Sequence, residues 1–370
     1  MIYLDANATA VMKPAVRAAM LEAMERHGNP SSVHRYGRIA RRSVDEARAH
    51  VAALAGAKPA QVIFTSGGTE ANNLILGSFD NRVVSVIEHD SVLAFTGETR
   101  LPVTRNGIVD VNAAEEILRD VPKGALISVM LVNNETGVIQ PVAEIAALAK
   151  KFGHIMHSDA IQAAGRLPID FAGLGVDALT LSAHKIGGPQ GMGALIVRDG
   201  LVLKNLIKGG GQERNRRAGT ENVAGIVGFG CAALLAADDL LDMPRLAALR
   251  DQLQIRLQHI AGEDAVVAGQ DAPRVANTLS IALIGMKSET QVASMDLSGV
   301  AVSAGSACSS GKVKASHVLK AMGYDADVAG GALRISLGWH SEATDIERCA
   351  DAWREIYERA RRSARPSQAA

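Results

Sequence analysis

Six short apolar runs between residues 62 and 197 constrain the fold of this chain more than any other sequence feature. Segments with helical periodicity, such as 69–76 and 142–152, lie between several of them. Continuous apolar runs are typical of strands buried on both faces, and their alternation with helices is typical of parallel sheets. The pattern predicts an α/β fold with a mostly parallel sheet, whose strands lie at 62–65, 83–87, 126–132, 155–158, 178–182 and 194–197.

The C-terminal part of the chain has a different order. An acidic stretch that ends in a proline, 238–244, predicts a linker between two helices, 222–235 and 245–260. The remaining pattern indicates a smaller α+β unit, with a strand at 277–282, a helix at 289–297, a Gly/Ser-rich loop at 303–311, a short helix, a strand at 332–336 and a long final helix. A length of 370 residues is consistent with two domains.

Composition and charge exclude several classes of protein. With 48% hydrophobic residues and 39 Lys+Arg against 39 Asp+Glu, neither disorder nor bulk electrostatic binding to nucleic acid or an anionic membrane is expected. The three cysteines (Cys231, Cys308 and Cys349) have neither disulfide-framework nor metal-ligand spacing, so we predict no metal site and a reducing compartment. Without a signal-like N-terminus or an uninterrupted apolar stretch approaching about 18 residues, the protein is expected in the cytoplasm.

A glycine-rich junction between a strand and a helix is the first candidate site. Gly67 and Gly68, followed by Thr69, lie where the run 62–65 meets a helix. Paired glycines allow close backbone approach, and the free N–H groups of a helix N-terminus attract phosphate. An ordinary turn with a threonine cap is the alternative.

Lys185 is the second candidate, because it follows a buried strand directly. A lysine in that position is easily desolvated, which lowers its pKa and makes its amine a nucleophile towards aldehydes. Asp159 follows the preceding strand, and His89 follows the strand at 83–87. Pyridoxal phosphate needs a lysine, a phosphate cradle and an acidic partner for its ring nitrogen, all of which this chain supplies at the carboxyl ends of strands. Taken singly, Lys185 could be a surface lysine and His89 a loop histidine.

Two further residues indicate covalent and ionic chemistry. Cys308 lies among small and polar residues, close to Lys312 and Lys314, which suits an accessible nucleophilic thiol. Cys231 and Cys349 fall in helical, alanine-rich surroundings and are predicted to be structural. Burying the cation of Arg334 on an apolar strand requires a carboxylate, either from a substrate or from a partner side chain.

Four basic residues form a modest patch that suits a phosphate or a partner subunit, namely Lys208, Arg214, Arg216 and Arg217.

With these motifs in place, nearly the whole chain resembles the cysteine desulfurases, the NifS/IscS-like branch of the class V aminotransferases. The resemblance implies the pyridoxal-phosphate fold type I, with a large domain at 14–240 and a small domain formed by 1–13 and 245–370. It rests on segments 3–9, 29–37, 65–73, 88–89, 133–137, 157–162, 182–188, 209–220, 305–308, 316–319 and 333–336.

The resemblance also implies a role for each candidate. Lys185 is expected to hold pyridoxal phosphate covalently, Asp159 to pair with its ring nitrogen, and His89 to stack on its ring and shuttle protons. Gln162 is expected to bind the ring oxygen. The phosphate ligands implied are Gly68, Thr69, Ser182 and His184, with Thr220 contributed by the other subunit of a homodimer.

The implied reaction converts L-cysteine to L-alanine. Asn134 and Arg334 are expected to bind the substrate carboxylate, Asn134 also lying at the cofactor. Cys308 is expected to take the sulfur as a persulfide. A sulfur acceptor, such as an iron–sulfur scaffold protein, would then receive the sulfur from the flexible loop.

Two other functions are alternatives to this prediction. A selenocysteine lyase shares the cofactor chemistry, and a non-catalytic scaffold could keep the fold.

The N-terminal motif has Ala6 and Ala10 where the family often has a polar residue and a threonine, which predicts a change in substrate fit or rate. The sequence 309–314 is specific to this chain and leaves its acceptor open.

Overall fold

The computed structural model describes residues 1–95, 99–305 and 315–364, with side chains to residue 362. The strands within these ranges are β1 (Ile2–Tyr3), β2 (Val62–Thr65), β3 (Arg82–Ser85), β4 (Thr99–Leu101), β5 (Leu126–Ser128), β6 (Ile155–Asp159), β7 (Ala178–Ser182), β8 (Gly193–Val197), β9 (Ala265–Val267), β10 (Thr278–Leu283), β11 (Val300–Ala301), β12 (Ser303–Ala304) and β13 (Ala332–Ser336). The α-helices are α1 (Pro14–Glu25), α2 (Arg35–Leu54), α3 (Gly68–Leu76), α4 (Asp90–Leu93), α5 (Val111–Asp120), α6 (Val142–Phe152), α7 (Gln212–Asn215), α8 (Val223–Ala261), α9 (Ser288–Leu297), α10 (His317–Ala321), α11 (Ala326–Gly331) and α12 (Ala343–Ala364).

Seven strands form the main sheet, in the order β2-β8-β7-β6-β5-β3-β4. The pairings from β7 to β4 are parallel, whereas β8 is antiparallel to both of its neighbours. The predicted α/β class with a mostly parallel sheet is therefore confirmed. The strand expected at 126–132 ends earlier, at Ser128, although the backbone N–H groups of Val129 and Leu131 still donate to β6.

Helices cover the main sheet and bury its apolar side chains. The larger hydrophobic cluster includes Phe64 from β2, Ile127 from β5, Leu179 from β7 and Phe229 from α8, all at most 3% exposed. Strands buried on both faces explain why the sequence shows continuous apolar runs here rather than alternation.

A second sheet, β12-β13-β10-β9, is antiparallel throughout. Its core includes the fully buried Trp353 of α12 and also Leu4 from the N-terminus. The N-terminal residues reach this core because β1 pairs with β11, and Asp5 bridges to Ser336 at the end of β13. The two chain termini therefore contribute to one packed unit.

The linker predicted at 238–244 is wrong, because α8 continues through it without a break and contains Pro244. A proline removes one helical hydrogen bond, but packing on both sides outweighs that loss. Ala236 before the proline and Leu246 after it are buried, and Asp239 in the acidic stretch pairs with Lys13 at 2.5 Å. Within the described ranges, the stretch Val223–Asp264 is long and apolar enough to cross a membrane, yet it packs on α1, α2 and α12 like a core helix.

Candidate active site

The polar residues that follow the strands of the main sheet meet around one cavity of about 440 Å³. Parallel strands bring their carboxyl ends to the same sheet edge, where open α/β sheets bind ligands. Arg334 reaches the cavity from β13 of the second sheet. Ten of the twelve predicted site residues line it: Gly68, Thr69, His89, Asn134, Asp159, Gln162, Ser182, His184, Lys185 and Arg334.

Lys185 lies in the short 3₁₀ turn that follows β7, with its amine held by backbone carbonyls. Its Nζ donates to the carbonyl oxygens of Asn7 at 2.6 Å and Ala8 at 2.7 Å. Burial, together with the charges of Arg334 and Arg166, lowers the pKa of Lys185 to about 7. The amine is therefore partly neutral, and hence nucleophilic, near neutral pH.

Asp159 ends β6 and belongs to a polar network with His89. Its Oδ1 accepts from the backbone N–H of Ile161 at 3.0 Å, and its Oδ2 accepts from Asn72 Nδ2 at 2.8 Å. The same amide donates to Ser91 Oγ at 2.9 Å, which lies 2.8 Å from His89 Nδ1. The network fixes the carboxylate and the imidazole relative to one another.

Arg334 and Asp5 form a buried ion pair at the other side of the cavity. Arg334 Nη2 donates to Asp5 Oδ1 at 2.9 Å, and Nη1 donates to the carbonyl of Asn134 at 3.3 Å. The arginine is 3% exposed, so a carboxylate partner is required, as the sequence indicated. Ser303 Oγ donates to Asp5 Oδ2 at 2.8 Å, which anchors the carboxylate from β12.

The β2–α3 turn, which we take as residues 66–70 and which includes the first residues of α3, is packed so tightly that glycine is required in and beside it. A Cβ on Gly68 would meet Ile161 Cδ1 at 2.1 Å, and a Cβ on Gly193 would meet the backbone carbon of Gly67 at 2.5 Å. The first N–H groups of α3 are the ones a helix leaves unpaired, and its positive dipole end attracts an anion.

Two buried polar atoms test whether the cavity suits pyridoxal phosphate. Among the described residues, Gln162 Oε1 and Arg334 Nε have no hydrogen-bond partner. Such orphaned groups are costly unless a ligand or water satisfies them. With a lysine amine, a carboxylate and a phosphate-binding turn around the same cavity, the residues present fit the cofactor that the sequence implies.

Sequence reasoning missed several residues of this site. Asn7, Asn72 and Ser91 line or support the cavity, and Arg166 lies behind Lys185. Asn7 and Asn72 bond to residues that are distant in sequence, whereas Ser91 bonds both to Asn72 and to the nearby His89. The charge of Arg166 just after the Asp159 strand was the one available signal.

Two of the twelve predicted site residues, Thr220 and Cys308, are not among the residues that line the described cavity. Thr220 is exposed and outside it, so its role towards a second subunit stays a prediction. Cys308 lies outside the described residues. Cys231 and Cys349 lie away from the cavity, and burial raises the pKa of Cys349 to about 12, as suits a structural thiol.

Comparisons with known proteins show the family of this chain. The family model described as Aminotransferase class-V matches residues 2–349. The chain is 41% identical to the IscS-like cysteine desulfurase of Mycobacterium tuberculosis, with 98% of each chain covered, and 39% identical to cysteine desulfurase IscS of Dictyoglomus turgidum, with 97% and 95% covered. The structure of a NifS-like protein from Rickettsia africae is 35% identical, with a TM-score of 0.91 over 97% of this chain and 99% of that one. The chain belongs to the aminotransferase class-V family and, within it, to the cysteine desulfurases.

Proposed function

We propose that this protein is a pyridoxal-phosphate-dependent cysteine desulfurase. It converts L-cysteine to L-alanine and transfers the sulfur to Cys308 as a persulfide, for iron–sulfur cluster assembly or another sulfur pathway. The observation that carries the proposal is Lys185, whose amine has a pKa of about 7 in a cavity that also contains Asp159, His89 and Arg334. Cysteine as the substrate is supported by the related structure of SspA in complex with cysteine, which is 29% identical, with a TM-score of 0.76 over 91% of this chain and 99% of that one.

The cofactor would be held by residues from both sides of the cavity. Lys185 would bind its aldehyde carbon, Asp159 its ring nitrogen and Gln162 its ring oxygen, with His89 against the ring. The phosphate ligands would be Gly68, Thr69, Ser182 and His184, joined by Thr220 of a second subunit. When bound, pyridoxal phosphate supplies an electron sink that stabilises negative charge at the substrate Cα.

The chain's own residues bind the substrate and move its protons. Arg334, with the Asn134 region beside it, would bind the carboxylate of L-cysteine. Lys185 Nζ can hold or release a proton near neutral pH. His89, which is linked to Asp159 through Ser91 and Asn72, would share this task. Burial also lowers the pKa of His184 to about 4, with a contribution from Lys185, so its ring is neutral.

The sulfur step is balanced without an added oxidant. The thiolate of Cys308 attacks the substrate sulfur, an S–S bond forms, and the Cβ–S bond of cysteine breaks. The electron pair of that bond remains on Cβ, which gains a proton to give the methyl group of alanine. The product on Cys308 is a persulfide that an acceptor thiol can receive.

We further propose that the protein acts as a homodimer in the cytoplasm and that its partner is a sulfur-acceptor or iron–sulfur scaffold protein. We also propose two domains, one at 14–240 and the other formed by 1–13 and 245–370. Support for the dimer comes from four apolar side chains close in sequence, Leu21, Met24, Val33 and Tyr36, each of which is more than half exposed, because exposed large apolar side chains are typical of interaction surfaces when they form a patch. The domain boundary would then fall inside α8.

A persulfide assay with L-cysteine tests the function. The Cys308→Ala variant is expected to lose both persulfide formation and alanine release while keeping the absorbance of the bound cofactor. Cys231→Ala, which removes a thiol outside the cavity, is the matched control and should retain both. Unchanged turnover in Cys308→Ala would refute the proposal. Rates on cysteine and selenocysteine, with and without Cys308, would test the lyase alternative.

A further inference from the structure

Three consecutive residues of the short segment α7, close to the β2–α3 turn, have a strained left-handed backbone instead of a right-handed helical one. Glu213, Arg214 and Asn215 have φ angles of 45°, 57° and 63°, and none of them is glycine. The left-handed region is costly for such residues and is kept only where surrounding contacts fix it. We call residues 212–217 the brace. The contacts of the brace therefore indicate which part of the structure depends on this strained backbone.

The first contact of the brace is with strand β2. Glu213 is 7% exposed, and both of its carboxylate oxygens accept from Arg48 at 2.7 Å. Glu213 Oε2 also accepts from the backbone N–H of Phe64 at 2.9 Å, while Arg48 donates to the carbonyl of Val62 at 2.9 Å. β2 is an edge strand of the main sheet, so one side of its backbone has no neighbouring strand in the described part of the chain. The Arg48–Glu213 pair satisfies the N–H of Phe64 and the carbonyl of Val62 on that side.

The second contact is with the β2–α3 turn itself. Arg217 Nε donates to Glu70 Oε1 at 2.9 Å, and Nη2 donates to Oε2 at 3.3 Å. Glu70 Oε2 in turn accepts from the backbone N–H of Ser66 at 2.8 Å. Burial by itself would raise the pKa of Glu70, but the hydrogen bonds from Arg217 and Ser66 lower it below its usual value. Glu70 is therefore a carboxylate at the rim of a turn suited to an anion.

We propose that the brace positions the β2–α3 turn for the phosphate of the cofactor, with Arg217 and Glu213 as positioning residues. Glu213 fixes the strand that leads into the turn. Arg217 fixes Glu70, which closes the turn through Ser66, and neutralises the charge of Glu70. The inference rests on the proposed function, since it assumes that pyridoxal phosphate is the ligand.

The charge of Glu70 gives the inference a direction that can be measured. An unpaired carboxylate beside the N-terminus of α3 would repel a phosphate, whereas the paired one does not. Removal of Arg217 should therefore weaken binding of phosphorylated ligands, and removal of the Glu70 charge as well should restore it. A ligand without a phosphate should be affected much less.

The experiment compares the binding of pyridoxal phosphate and of pyridoxal to the full-length chain freed of cofactor, followed by absorbance. Arg217→Met is expected to weaken binding of pyridoxal phosphate about tenfold and binding of pyridoxal less than about twofold. The double variant Glu70→Gln with Arg217→Met is expected to recover most of the loss. Arg42→Met, which breaks the exposed Arg42–Glu46 pair, is the control and should change neither affinity.

Each other outcome overturns the inference. Equal losses for both ligands would show that Arg217 is only structural, and no loss would show that the turn does not depend on it. If Arg217→Met fails to fold, Glu70→Gln alone decides. It leaves the cation of Arg217 without its counter-charge beside the turn, so it should strengthen binding of pyridoxal phosphate relative to pyridoxal, and an unchanged ratio refutes the idea. Failure of the proposed function would be seen separately, as absence of persulfide formation in the unchanged chain.

Discussion

Replacement of Arg166 by methionine should raise the pKa of Lys185. Arg166 is 7% exposed, donates from Nη1 to the carbonyl of Gln162 at 2.8 Å, and lies with Lys185 around a small cavity. Burial comes first among the causes that lower the pKa of Lys185 to about 7, followed by the charges of Arg334 and Arg166. Loss of one nearby cation should return about one pKa unit, which places the new value near 8.

The magnitude follows from the neutral fraction of the amine. At pH 7 this fraction would fall from about one half to about one tenth, so Lys185 should capture pyridoxal phosphate about fivefold more slowly in Arg166→Met. At pH 6 the ratio of the variant rate to the unchanged rate should be about 0.1, and at pH 9 it should approach 1. Use of the ratio cancels the ionisation of the ligand itself.

The assay measures the rate of cofactor capture from pH 6 to 9, by absorbance, with the chain freed of cofactor. Arg166→Lys keeps the positive charge and should keep a ratio near 1 throughout. A pH-independent loss in Arg166→Met would indicate misplacement of Lys185 rather than a changed pKa. A loss of the same size in Arg166→Lys would also refute the electrostatic reasoning.

Three further variants test the energetics of the site and core. Asp5→Ala leaves the buried Arg334 without its carboxylate and should lower the free energy of unfolding by about 3 kcal/mol, measured with urea. Burial raises the pKa of Glu135 from 4.5 to about 7, so its ionisation destabilises the folded chain as pH rises from 4.5 to 7; Glu135→Gln should remove about 3 kcal/mol of this decline between pH 4 and 8, and an equal decline in both proteins would contradict the reasoning. Trp353→Ala empties a fully buried position and should cost about 3–5 kcal/mol; a loss below about 1 kcal/mol in thermal or urea unfolding would show that the core collapses around it.

The sequence predicted the main sheet well because apolar runs, and the polar residues directly after them, are both local features of the chain. Apolar runs are typical of buried strands, and the residues that follow parallel strands meet at one edge of the sheet, so the sequence alone predicts that Asp159 and Lys185 lie close together. The charge of Arg334 on an apolar strand likewise required a carboxylate. In each case the residue's immediate surroundings contained the physical reason.

The features that sequence reasoning missed depend on distant contacts. The stretch 238–244 looks like a linker, yet α8 is held there by packing on both sides and by the Lys13–Asp239 pair. The short strand β4 carries mostly polar residues and was not predicted. The role of Asn72 depends on Asp159, 87 residues away, and no local pattern announces such a pair.

The two alanines that depart from the expected N-terminal motif, Ala6 and Ala10, line a cavity beside Lys185 and are not among the residues that line the candidate active site. Ala6 and Ala10 line a separate cavity of about 40 Å³, and Lys185 is the one described residue that this cavity shares with the larger one. Between these alanines, the carbonyl of Asn7 accepts from Lys185, while its side chain bonds to Asn277 and Thr278 of the second sheet. A water molecule in this small cavity would solvate the amine of Lys185 without occupying the substrate cavity. Ala6 and Ala10 should therefore alter the protonation of Lys185, and hence the rate, with little effect on which amino acid binds.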